Sequence, residues 1–133
     1  MKTIPRWLAI TLSFVPLLLL VVARFLSPSP RGLGTHQQLG LPPCSLRVML
    51  GIECPACGMT TSWSHFTRGQ WIDALHANYA GVMLAAFFVA FCPFALWHLL
   101  RDRRMPTATL PTCAVAVFGM MFAMIFRWLC RIV

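Results

Sequence analysis

Three long apolar stretches that carry almost no charge limit what this chain can fold into. They cover about residues 7–26, 79–100 and 110–129. Each has roughly the 20 residues that an α-helix needs to cross the ~30 Å hydrocarbon core of a bilayer. A helix also hydrogen-bonds its own backbone N–H and C=O groups, which lipid cannot do. The sequence therefore predicts an all-α integral membrane protein, a single membrane domain over residues 1–133 with about three transmembrane helices.

The composition agrees with a membrane protein and argues against a nucleic-acid-binding one. Hydrophobic residues make up 59% of the chain and charged residues only 11%, whereas soluble domains carry about 25% charged residues. The net charge of +8 comes from basic residues that are spread along the chain in ones and twos, with one cluster in residues 101–104. Basic residues beside apolar spans typically set topology and contact anionic headgroups. We therefore expect the lipid bilayer as a partner and no nucleic acid.

The first apolar stretch has a second interpretation, a cleaved secretory signal. Lys2 and Arg6 give it the basic start that such signals have. However, residues 22–28 contain no small-x-small cleavage site, and the apolar run is longer than a typical signal core. We interpret the first stretch as a retained membrane anchor.

The second and third spans are expected to form a hairpin. Residues 101–109 join them, and Pro111 suits the first turn of the third helix. Because proline removes one backbone hydrogen bond from a helix, we expect Pro16 and Pro93 to bend the first and second spans. A lone cysteine in a span is usually a small packing residue, and we interpret Cys92 in this way.

The basic residues near the membrane indicate how the chain is inserted. A cytoplasmic amino terminus places Lys2 and Arg6 on the same side as the arginines of the 101–109 hairpin, as the positive-inside rule prefers. The long loop of residues 27–78 then lies outside, although it also carries arginines. We predict a multi-pass protein of the bacterial inner membrane with its amino terminus in the cytoplasm.

The loop alternates between segments of different character. Residues 27–34 are rich in proline and glycine and indicate an extended linker, with structure resuming near Leu41. Residues 45–52 are mostly apolar but too short to span, which predicts an interfacial or re-entrant helix. A helix of about three turns fits residues 58–68. Residues 70–78 suit a further helical segment that leads into the second span.

A two-cysteine motif lies in the middle of this loop. Cys54 and Cys57 are separated by Pro55 and Ala56 and followed by Gly58, and Cys44 lies upstream. A Cys-x-x-Cys turn can wrap two thiolates around one metal ion, and a glycine after it permits the backbone to turn. Zinc in a structural site takes four ligands. Cys44, Cys54 and Cys57 are the three candidate zinc ligands.

Spacing excludes some residues as the fourth ligand and leaves others open. His65 would lie about 12 Å along a helix from Cys57 and some 80° around it. Cys113 begins the third span at the opposite membrane face, and we interpret it as a packing residue. His36, His76 and Cys130 all fall on the side of the loop, and spacing does not choose among them.

A disulfide and a reactive thiol are the other interpretations of the motif. In the reactive-thiol interpretation a helix begins after Cys54 with Pro55 at its first position, and its N–H groups lower the pKa of Cys54, as in dithiol enzymes. Against an enzyme, the sequence lacks a thioredoxin-like βαβ pattern. In an oxidising space, Cys44 could form a static disulfide with either Cys54 or Cys57.

Polar residues after the motif suggest a wet surface. Residues 60–65 form a polar helix face that could line a small aqueous cavity, and Asp73 with His76 could relay protons. We prefer the simpler interpretation, in which interfacial helices turn these polar sides to water.

These residues also resemble a known family. The chain is similar to uncharacterised small bacterial membrane proteins that carry a Cys-Pro-x-Cys-Gly-x-Thr motif, a domain of unknown function. The matching positions are Cys44, Arg47, Gly51, Cys54, Pro55, Cys57, Gly58, Thr60, Gly69, Ala74 and Asn78. The resemblance implies that the cysteines, Gly58 and Thr60 act as a unit, supported by Arg47, Gly51 and Asn78, but it brings no known reaction. One departure is Thr61, where the family often has arginine.

The sequence does not point to an enzyme. It contains no phosphate-binding, zinc-protease or nucleophile-elbow motif, and three acidic residues leave little for paired-carboxylate catalysis. We assign no catalytic or cofactor-binding residue. The first hypothesis is a structural or interaction subunit that has a cysteine-stapled loop and that pairs with other membrane protein subunits. The alternative is a membrane thiol-disulfide oxidoreductase or a zinc-binding protein that uses the motif.

Overall fold

The described part of the chain is helical throughout. The computed structural model describes residues 5–101 and 108–132. These residues form five α-helices and one 3₁₀ helix and contain no strand: α1 (Arg6–Phe25), the 3₁₀ helix (Thr35–Leu39), α2 (Ser45–Leu50), α3 (Met59–Phe66), α4 (Trp71–Leu100) and α5 (Thr109–Ile132). The predicted all-α class is confirmed.

Three of these helices are long and apolar enough to cross a membrane. They are the segments Trp7–Phe25, Trp71–Leu100 and Thr109–Cys130. The prediction of three transmembrane helices within the fold class is therefore confirmed by length and composition. Pro111 lies in the first turn of α5, as expected. Most of the hairpin predicted between the second and third spans, residues 102–107, lies outside the described residues.

The main interruption of a spanning helix lies at an asparagine. We expected bends at two prolines, and the structure places Pro16 inside α1 and Pro93 inside α4. The backbone of α4 leaves helical geometry at Asn78, with φ −165° and ψ 108°. The segment of α4 before Asn78 is the short helix that was expected to lead into the second span.

Small side chains fill the space between the helices, while large apolar ones point outward. Ala9 of α1 packs against Ala95 of α4, and the Cys92 thiol donates to the Ser13 carbonyl at 3.2 Å. Exposed residues include Phe14, Phe25 and Val89, which are 53%, 82% and 51% exposed. This distribution is typical of membrane helices, because lipid covers large apolar side chains and close approach needs small ones.

The polar segment after the cysteine motif is buried, contrary to the expectation of a wet face. Thr61, Ser62 and Ser64 of α3 are all 0% exposed. Ser64 Oγ donates to the Leu26 carbonyl at 2.6 Å, and Ser62 Oγ donates to the Asn78 carbonyl at 2.9 Å. Each hydroxyl satisfies a carbonyl at the end or break of a spanning helix. The polar face of α3 therefore joins α1 to α4.

The predicted extended linker is also more ordered than expected. Structure resumes at the 3₁₀ helix rather than near Leu41, and Thr35 at its start is only 1% exposed. Its hydroxyl accepts from the Ser29 N–H at 3.1 Å and bonds to the Thr61 hydroxyl at 2.7 Å. These hydrogen bonds hold the segment after α1 against α3. The prolines and glycines of residues 27–34 correctly predicted that this segment forms no long helix. They did not predict its hydrogen bonds to α3.

Candidate metal centre

Three cysteines from separate parts of the loop meet at one place. The Sγ atoms of Cys44, Cys54 and Cys57 all lie within 4.8 Å of one another. Cys44 directly precedes α2, while Cys54 and Cys57 flank a tight turn. In that turn the Cys57 N–H donates to the Cys54 carbonyl at 2.8 Å. The structure thus brings together the three thiols that spacing alone left as a candidate set.

The cysteine turn precedes α3 rather than forming its first turn. α3 begins at Met59, with Gly58 as its N-cap residue. The expectation that a helix begins with Pro55 at its first position is therefore wrong. Cys54 does not lie at the N-terminus of a helix, and the argument for a helix-activated Cys54 thiolate loses its basis.

Gly58 is required by both its conformation and its surroundings. Its φ of +82° lies in the left-handed region. A Cβ at this position would lie 2.6 Å from the Ala77 carbonyl oxygen and 2.9 Å from the Gly32 carbonyl oxygen. Two backbone segments therefore press against the turn, and only glycine fits between them.

Asn78 connects the cysteine turn to the second span. Its Nδ2 donates to the Cys57 carbonyl at 3.0 Å and to the Pro55 carbonyl at 3.2 Å. Its Oδ1 accepts from the Gly81 N–H at 3.1 Å, the bond by which an asparagine caps a helix N-terminus. One side chain thus begins the spanning part of α4 and holds the turn. The sequence marked Asn78 only through resemblance, although an asparagine before a long apolar run is itself a helix-start signal.

Two aromatic side chains, Trp128 of α5 and Tyr79 of α4, connect the third span to this region. The Trp128 indole N–H donates to the Glu53 carbonyl, next to Cys54. The Tyr79 hydroxyl donates to the Ala123 carbonyl at 3.0 Å. The cysteine loop is therefore in contact with α4 and α5.

The local environment makes the Cys57 thiol a weak acid. Burial, together with the nearby Cys44 and Cys54 sulfurs, raises the pKa of Cys57 to about 11. A nucleophilic thiol needs a lowered pKa. The surroundings of Cys57 therefore do not activate it as a nucleophile. A bound cation would supply the positive charge that three neighbouring thiolates need.

The two histidine candidates for a fourth ligand line cavities beside the cluster but are not part of it. Among the described His, Cys, Asp and Glu residues, the group close enough to share an ion contains the three cysteines alone. His36 lines a cavity of about 1020 Å³ together with all three cysteines, and His76 lines another of about 280 Å³ together with Cys54 and Cys57. Cys130 is exposed. His65, which spacing excluded, is hydrogen-bonded to Gln70 at 2.7 Å.

The remaining motif residues surround the cluster. Gly51 ends α2 in the left-handed region, with φ +67°. Arg47 and Thr60 line the larger cavity together with all three cysteines. Thr61, which stands where the similar family often has arginine, is buried and bonded to Thr35. Sequence reasoning missed the buried hydroxyls of α3, since serine and threonine in a short helix predict an exposed face as readily as a packed one.

Fold and site together define a class: a helical protein with three helices suited to span a membrane and a three-cysteine cluster in its long loop. Residues 44–94 match the model of a family described as a protein of unknown function (DUF2752). The match begins at the first cysteine of the cluster, includes α3 and extends through most of α4. It covers less than half of the chain, and the chain is similar to this family over that region. No curated protein and no solved structure matches the chain.

Proposed function

We propose that this chain is a structural or interaction subunit of the bacterial inner membrane whose outer loop is stapled by one zinc ion bound to Cys44, Cys54 and Cys57. The amino terminus lies in the cytoplasm, and the cysteine loop faces the outside. The subunit associates with other membrane proteins. The mutual approach of three thiols, all within 4.8 Å, is the observation that carries the proposal.

The size of the cluster suits a thiolate-bound ion. Three points within 4.8 Å of one another always share a position no more than about 2.8 Å from each, and a Zn–S bond measures about 2.3 Å. Side-chain movements of about half an ångström would close the site. A disulfide would use only two of the three sulfurs.

The surroundings of the cluster suit a structural role better than a catalytic one. Asn78 and Gly58 hold the turn against the second span through backbone carbonyls. An ion at this position would link the start of α2 to this turn, because Cys44 belongs to a different segment. His36 is the candidate for the fourth ligand that shares a cavity with all three cysteines.

A disulfide between Cys44 and Cys57 is the second candidate staple. The Sγ atoms of these two residues lie within 4.8 Å of each other, in separate segments of the loop. In that case Cys54 would remain a thiol. An outward loop in an oxidising space would favour this form.

Metal analysis of the purified protein tests the proposal. The full chain is purified in detergent under reducing conditions, and bound metals are counted before and after treatment with a chelator. We expect about one zinc ion per chain, lost when Cys44, Cys54 or Cys57 is changed to serine. Cys113→Ser is the matched control, because it removes a thiol of the third span that lies outside the cluster and that we interpret as a packing residue. Protein without zinc that carries a Cys44–Cys57 disulfide after air exposure contradicts the zinc staple and favours the second candidate.

The orientation is tested separately. A membrane-impermeant maleimide should label the loop cysteines of intact cells after reduction and metal removal. Labelling that requires permeabilised cells would place the loop in the cytoplasm and contradict the outward orientation.

A further inference from the structure

The larger cavity beside the cysteine cluster has a basic lining. Arg31, Arg47 and His36 all line it. Among the described residues of its wall there is no carboxylate to balance them. A concave site with two guanidinium groups and no acidic side chain attracts anions, and arginine pairs with phosphate through two parallel hydrogen bonds.

The wall of this cavity is held in place by hydrogen bonds. The Gln38 side chain accepts from the Ser27 N–H at 3.1 Å and donates to the Ser27 carbonyl at 2.6 Å. Thr35 joins Ser29 to α3, as described above. On this side the cavity is therefore bounded by three segments that are fixed to one another: the chain after α1, the 3₁₀ helix and α3. Its volume of about 1020 Å³ would hold a headgroup with its glycerol unit, because ligand pockets measure about 300–1,000 Å³.

Its position places it at the level of lipid headgroups. Ser27, which lines the cavity, follows the end of the first spanning helix by two residues. Val48 also lines it, and the neighbouring Met49 and Leu50 of α2 are 81% and 63% exposed. An apolar helix beside a basic cavity matches the two parts of a phospholipid, acyl chain and phosphate.

We propose that this cavity binds the headgroup of an anionic phospholipid, with Arg31 and Arg47 on its phosphate and acyl chains against Val48 and Met49. The cysteines line the same cavity, but the proposed contacts to lipid come from the arginines, so variants of the arginines test lipid binding and variants of the cysteines test zinc binding. Binding of the phospholipid in this cavity fixes the loop to one leaflet of the membrane. Each arginine near a bilayer surface contributes about 1 kcal/mol, or about fivefold in affinity.

Native mass spectrometry of the full chain in non-ionic detergent tests this site. Phosphatidylglycerol is titrated in parallel with phosphatidylcholine, whose headgroup has no net charge. We expect one tightly bound phosphatidylglycerol and binding of phosphatidylcholine that is at least tenfold weaker. The double variant Arg31→Gln, Arg47→Gln should lose about thirtyfold in affinity for phosphatidylglycerol.

Arg24→Gln provides the matched control. Arg24 is an exposed arginine in the last turn of α1, near the same membrane face but outside the cavity. Its substitution should change phosphatidylglycerol affinity less than twofold. An equal loss in this control, or equal binding of both lipids, would overturn the proposal. Displacement of the lipid by inorganic phosphate at comparable concentration would identify a free anion as the ligand and also overturn it.

Discussion

The second and third spans are both apolar, but they are attached to the protein in different ways. α4 buries seven residues, most of them small, and receives α3 in close contact at Gly81. α5 buries Met124 among its described residues, and its two described hydrogen bonds to the rest of the chain come from aromatic side chains. Apolar character suits both helices to a membrane, whereas small residues and buried hydroxyls decide how closely each helix packs against the rest of the chain. Hydrophobicity alone does not distinguish the two, because lipid is as apolar as leucine.

The largest loss of stability should come from adding a side chain at Gly58, where the cysteine turn contacts α4. Gly58→Ala adds a Cβ that clashes with two carbonyl oxygens and also strains a left-handed residue. We expect a loss of about 3 kcal/mol or more in the free energy of unfolding, measured by titration with SDS. Gly51→Ala is the control, since its Cβ meets nothing within 4 Å and only the strain of about 1–2 kcal/mol remains. Equal losses in the two variants would mean that the contact with Ala77 is unimportant.

Asn78 tests whether α4 also positions the cysteines. Asn78→Asp keeps the oxygen that caps the spanning part of α4 but removes the donor to Pro55 and Cys57. Asn78→Ala removes both and should cost about 2–3 kcal/mol in unfolding free energy. Both variants should weaken zinc binding about tenfold, because residues that orient metal ligands contribute that much. Unchanged zinc affinity in both variants would limit Asn78 to helix capping.

The same substitution should have opposite effects in α4 and α5. Gly81→Ala places a Cβ 2.9 Å from Ser62 Oγ, and we expect a cost of about 1–3 kcal/mol. Gly119→Ala meets nothing within 4 Å in α5 and should stabilise that helix by about 0.5–1 kcal/mol. Thermal unfolding in detergent, followed by tryptophan fluorescence, measures both. A destabilising Gly119→Ala would show that α5 packs against a surface at this glycine.

The smallest effect concerns the attachment of α5. Trp128→Phe and Tyr79→Phe each remove one hydrogen bond to a backbone carbonyl, and such bonds in membranes contribute about 0.6 kcal/mol. Circular dichroism during heating is a suitable measurement, because it does not depend on tryptophan. Trp7→Phe, at a 67% exposed position, should leave stability unchanged. If it costs as much as Trp128→Phe, the loss reflects ring size rather than the bond to Glu53.

The sequence predicted the fold better than it predicted the site. The length of three uncharged apolar stretches was sufficient for the all-α membrane class, because lipid permits few other structures. Motif spacing and the resemblance identified Cys44, Cys54 and Cys57 as a set. They did not predict the distances between the three sulfur atoms. The interpretation of α3 as a wet helix was wrong, since hydroxyls can face water or a carbonyl of another helix equally well. The break of α4 at Asn78 was not predicted, because it depends on contacts with Pro55 and Cys57, which are distant in sequence.

The sequence by itself thus determined that the protein has three helices suited to a lipid environment and that its loop carries three thiols. Both follow from residue type and local spacing. Only the tertiary structure decided where the thiols meet and what holds them there. Gly58 and Asn78 place the cysteine turn at the start of the second span through carbonyl contacts between segments about 20 residues apart. Such contacts form only after the helices pack, so no local pattern in the sequence encodes their distances.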